Sequence, residues 1–142
     1  MTDASPLSLE WQTLQRDYEQ IERSTLWLKL AAVLITFAAL AIPVDLLLVA
    51  LLILVLWLQE AIVRTGQSRL GVRLLAIEAL LRQPVPPSAT AAFQLHSAWH
   101  ASRGGCVALL REYANNAVRP TVAFPHAVLL LILLAALTVP AS

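Results

Sequence analysis

Apolar residues fall into three dense blocks, and outside those blocks they recur every three or four positions. The blocks cover residues 26–42, 44–63 and 120–139. A hydrocarbon core about 30 Å thick is crossed by roughly 20 mostly apolar helical residues. Each block therefore predicts a transmembrane helix. The first is near the lower length limit and carries Lys29 one turn inside its start, where an ammonium on an aliphatic stem reaches back to the headgroups. Asp45 and the pair Gln59-Glu60 bracket the second, and the third holds Pro125 and His126 in its first turns. Trp27 and Trp57 fall where the first two spans meet one interface, as an aromatic belt requires. Residues 1–25 are too long and too acidic for the basic leader of a signal peptide, so the first block reads as a retained span.

The thinner pattern predicts helices that continue out of the membrane. Leu7, Trp11, Leu14, Tyr18, Ile21, Thr25 and Leu28 line one helical face, with Ser8 as the expected N-cap and Glu19–Arg23 as a favourable i,i+4 pair. After the second span, Val63, Gly66, Leu70, Leu74, Ile77 and Leu81 step likewise through residues 64–83. A helix from Val44 to Arg82 would be roughly 58 Å long at 1.5 Å per residue, so a third or more of it should project. The tight turn at Pro43 makes these two helices antiparallel neighbours. The fold expected is an all-α integral membrane protein. Its first two spans form a long hairpin that projects from the membrane beside an additional amphipathic helix.

That extra helix follows the Pro-rich linker 84–87 and occupies residues 88–118. Ser88 or Thr90 is its expected cap. Ala92, Leu95, Trp99, Ser102, Cys106, Leu109 and Tyr113 form its apolar face, Gly104-Gly105 kinks or splits it, and Asn115-Asn116 ends it.

Charge orients the chain. All ten Lys and Arg residues lie before the first span, just inside it, or between the second and third spans, and the turn at 42–45 and the tail 140–142 have none. The positive-inside rule makes the basic side cytoplasmic, with the C-terminus periplasmic or extracellular. The preference for Arg over Lys, with abundant Ala and Leu, fits a GC-rich bacterial genome and hence an inner membrane. Lys29, Arg64 and Arg69 are the cations placed to meet lipid headgroups. A net charge of +1 lacks the basic excess that nucleic-acid binding needs.

Candidate chemistry is sparse. His96 and His100 share a helical face, but a zinc site needs further ligands and only Cys106 is near, so they read as polar neighbours of Trp99. Cys106 reads as a small buried core residue. Glu60 and His126 approach the same interface from different spans, with Gln59 beside them. That makes an interhelical polar contact the expected role, and a proton or ion entry point the alternative. No ionisable residue falls at a midplane and no span is broken halfway, unlike many transporters. No cofactor motif and no catalytic constellation is present. The function expected is a non-enzymatic accessory or scaffold subunit of a bacterial inner-membrane complex. Its partners would be membrane lipids and either other membrane subunits or further copies of itself, and Trp11, Tyr18, Trp99 and Tyr113 are the interface anchors. The alternatives are a homo-oligomeric pore that gates by dewetting and a small enzyme acting on lipid.

Overall fold

The computed structural model describes residues 5–84, 91–102 and 104–138, all in helices or the turns between them. In order these are α1 (Pro6–Ala41), α2 (Leu46–Leu81), α3 (Leu95–Ser102), α4 (Cys106–Ala117) and α5 (Pro120–Thr138). Among the described residues, α1, α2 and α5 are long and apolar enough to cross a membrane. The expected caps at Ser88 and Thr90, the linker residues 85–87 and the end of the third block at Val139 lie outside the described residues.

Helix α1 starts three residues before the expected Ser8. Ser5 is the N-cap, its Oγ accepting from the Ser8 amide at 3.3 Å, and Pro6 occupies the first turn. Proline suits that position because its φ is already helical and its missing N–H would have been unpaired there. At the other end Pro43 disfavours helical geometry in the residue before it, and Ile42 is extended at φ −128°, ψ 153°. Asp45 then caps α2 by accepting from the Leu47 amide at 2.9 Å.

With so short a link the two helices lie antiparallel. Glu10 meets Arg73, Glu22 meets Arg64, and Lys29 meets Glu60. Toward the far end, Leu7, Leu14, Leu74, Ile77 and Ala92 form one core cluster, with Trp11 and Tyr18 packed against it. On α2 the inward face also takes Thr65 and Gln67, while Gly66 and Leu81 are exposed. The expected Glu19–Arg23 pair does not form: Glu19 instead accepts from Gln15 at 3.0 Å.

Among the described residues of the amphipathic segment, 91–94 form a turn in which Phe93 takes a φ of 59°, and α3 starts at Leu95. That turn is tied to the bundle by Arg73, which donates to the Ala91 carbonyl at 2.9 Å, and by Glu10, which accepts from the Phe93 amide at 2.6 Å. Gly104-Gly105 splits the segment. A Cβ on Gly104 would stand 2.6 Å from the Ala108 Cβ, so this close approach admits only glycine. Cys106 is exposed rather than buried, because it stands at the open end of α4. It borders a groove of about 890 Å³ between α2, α3 and α4, whose walls include Val72, Leu95, Trp99 and Leu109. Helix α4 runs back along α2, Glu112 meeting Arg69 and Asn116 meeting Thr65, and ends at Ala117, one residue past Asn116. Helix α5 packs on both long helices through a core of Ala32, Ile53, Leu129 and Leu133.

Candidate functional site

Proline at position 125 decides the local chemistry of α5. It has no N–H, so the Thr121 carbonyl one turn earlier has no helical donor. Lys29 of α1 supplies one: its ammonium donates to that carbonyl at 2.6 Å. A second carbonyl, that of Ala117 at the end of α4, accepts from the Trp57 indole of α2 at 3.0 Å. Side chains of the long pair therefore complete the backbone at the joint between α4 and α5.

Glu60 sits at the centre of this joint, wholly buried. The Lys29 ammonium lies 3.1 Å from its Oε1, and the Arg64 guanidinium 3.8 Å from the same atom. His126, also wholly buried, places Nδ1 3.8 Å from Glu60 Oε2 and 3.1 Å from the Val122 carbonyl. The Lys29–Glu60 contact is close but off the hydrogen-bonding direction, and neither Glu60 oxygen has a hydrogen-bond partner. The carboxylate is held by charge rather than by directed bonds. Trp57 stacks on His126, ring centroids 6.2 Å apart and planes 11° off parallel.

Around this node the remaining polar groups are shared out. Arg64 also reaches Glu22 at 3.3 Å and Gln67 Oε1 at 2.6 Å, and Gln67 donates in turn to the Tyr18 carbonyl at 3.2 Å. The Asn116 amide donates to Thr65 Oγ1 at 2.7 Å, and that hydroxyl donates to the Ala61 carbonyl. Four of the five helices thus converge within a few residues of Glu60.

A second ionic centre lies toward the other end of the pair. Arg73 grips Glu10 with Nε at 2.9 Å and a terminal nitrogen at 3.0 Å, a two-pronged match of guanidinium to carboxylate. Burial alone pushes the Glu10 carboxyl up. The Arg73 hydrogen bond, the Phe93 amide and the Arg73 charge together outweigh it and hold the carboxyl below its ordinary value. Trp11 donates to Glu78 at 3.3 Å beside it.

The remaining residues singled out in the sequence fall in separate places. Gln59 is exposed and takes no part in the node. Lys29 and Arg64, placed for headgroups, both direct their cationic ends at Glu60, and Arg69 pairs with Glu112 at 3.3 Å while lying 5.0 Å over the Trp99 ring. Trp11, Tyr18, Trp99 and Tyr113 are each partly buried against their own chain. His96 and His100 are exposed on α3, and no three His, Cys, Asp or Glu side chains converge among the described residues. The Lys29–Thr121 and Trp57–Ala117 contacts leave no mark in the apolar pattern, although Pro125 itself marks the Thr121 carbonyl as needing a donor. Comparison of the chain with protein-family models, with curated proteins and with solved structures finds no match.

Proposed function

We propose that this chain is a non-enzymatic accessory or scaffold subunit of a bacterial inner-membrane complex, and that it works by presenting a rigid helical surface. In this reading α5 and the paired halves of α1 and α2 nearest residues 42–45 cross the bilayer. The N-terminus and the rest of the bundle are cytoplasmic, and the C-terminus is on the far side.

The supporting observation is apolar surface where no membrane reaches. At 1.5 Å per residue, the 36 residues of α2 make a rod of about 54 Å, against a hydrocarbon core of about 30 Å. Beyond that thickness α2 exposes Val72 and Leu75, and α4 exposes Val107 (81%) and Leu110 (65%). Val107, Leu110 and Ala114 follow one another at helical spacing, with Val118 one turn further on, so they form a ridge along the bundle. Apolar surface of this kind in an aqueous compartment marks a protein interaction site. The ionic node fits the same role, since it fixes α4 and α5 on the long pair and so fixes the ridge.

Purification in mild detergent at native expression level, followed by native mass determination, tests the proposal. A foreign subunit should co-elute with the wild type and be lost from Val107→Ser/Leu110→Ser with thermal stability unchanged. A chain that purifies alone or only as copies of itself would overturn it.

A further inference from the structure

We infer that Arg23 of α1 and Arg119 at the head of α5 form the chain's binding surface for the headgroups of anionic phospholipid. This rests on the membrane reading above. The inference starts from how the cations are used. Lys29, Arg64, Arg69, Arg73 and Arg82 all sit within ion-pair distance of a carboxylate of this chain. Among the described residues, Arg16, Arg23, Arg111 and Arg119 are exposed, and their side chains make no hydrogen bond or ion pair. Acids of the chain therefore pair with the first five cations, all but Arg82 at least partly buried, and leave the other four unspent.

Two of the four stand at the edge of an apolar face. On α1, Arg23 is followed at spacings of four, three, four and three by Trp27 (71% exposed), Leu30, Leu34 and Phe37, so one outward stripe runs from cation through indole to aliphatic surface. That is the order in which a phospholipid presents phosphate, glycerol ester and acyl chain to a helix. Arg119 immediately precedes α5, two residues before the Thr121 whose carbonyl Lys29 binds, and exposed Phe124 stands in the same apolar span, further round the helix. Arg23 is six residues before Lys29, about 9 Å along the axis at 1.5 Å per residue. Glu19, one turn before Arg23 on the same face, is occupied by Gln15. Arg16 has no such stripe beneath it, its successors at helical spacing being Glu19, Gln20 and Arg23, and Arg111 stands on the α4 ridge between Val107 and Ala114, two turns before the span that Arg119 adjoins. Unpaired guanidinium at the rim of an exposed apolar face complements a headgroup with net negative charge, and a zwitterionic one far less.

The test uses the full chain reconstituted into vesicles of equal phosphatidylglycerol and phosphatidylethanolamine. Flotation and resistance to carbonate extraction are scored first. Native mass spectrometry of gently released protein then counts the retained lipids. Wild type should retain phosphatidylglycerol in excess. Arg23→Gln/Arg119→Gln should lose that excess, about fivefold for each cation removed, while Arg82→Gln should keep it. Inserted wild type with no excess, or a double variant that retains it, would overturn the lipid surface alone. A chain that washes out of the vesicles would overturn the membrane reading beneath it.

Discussion

Lys29 donates to the Thr121 carbonyl, the one backbone group that Pro125 deprives of its helical partner. One side chain thereby joins α1 to α5 and also neutralises Glu60, which is buried in the same joint. Replacing Lys29 by Met should leave Glu60 with Arg64 as its nearest cation and the Thr121 carbonyl without a donor, a loss of about 1–3 kcal/mol. Combining Lys29→Met with Glu60→Gln should recover part of that loss. Unfolding in mixed detergent micelles checks both, and a double variant no more stable than Lys29→Met would contradict the ionic account.

Pro125→Ala offers an independent probe of the same contact. Alanine restores an N–H to the Thr121 carbonyl, which then no longer depends on Lys29. In this background the cost of Lys29→Met should shrink by about 1 kcal/mol, the net worth of one hydrogen bond. A double-mutant cycle measures the difference directly.

At the other end of the pair, stability should depend on pH through Glu10. Its carboxyl is held below the ordinary value by Arg73 and the Phe93 amide once burial is outweighed. The stabilisation is therefore full above the ordinary carboxylate range and is lost as pH falls through the lower folded value. Protection of the Phe93 amide, its exchange relative to an unstructured amide at the same pH, should fall on acidification in that window. In Glu10→Gln that protection should show no acid-dependent step.

The two central glycines should respond differently to alanine. Gly104→Ala brings a Cβ to 2.6 Å from the Ala108 Cβ, so α4 must shift and stability should fall by about 1–3 kcal/mol, the usual cost of overpacking. Gly105→Ala meets nothing within 4 Å and has a negative φ of −66°, so it should be neutral or stabilising by up to about 1 kcal/mol. Thermal unfolding of the two variants side by side decides the matter.

Much of the architecture was legible because it follows from length and period. Three apolar blocks, a proline in a four-residue link and a glycine pair suffice to place α1, α2, the split between α3 and α4, and α5. The candidate site was half legible. Glu60 and His126 stand out as ionisable groups on apolar helices, but periodicity carries no information about which way a flexible side chain turns. Lys29 accordingly reads as turned outward to the headgroups, yet Glu60 and the Thr121 carbonyl draw it inward. The start of α3 was illegible for a similar reason, since the turn at 91–94 is tied down by Glu10 and Arg73, some 80 and 20 residues earlier. Cys106 reads as buried because its spacing continues an apolar stripe across Gly104-Gly105, yet the first turn of α4 stands open beside the groove.

The dependence of α5 on a donor from α1 also bears on the order of assembly. A carbonyl without a donor in the first turn of a span is costly wherever water is scarce, so α5 gains from an α1 already in place. A ribosome releases α1 and α2 first, and Lys29 is then waiting when Thr121 emerges. On the membrane reading, biogenesis is stepwise: a stable hairpin is laid down early, and the last helix is retained only where that hairpin has already formed.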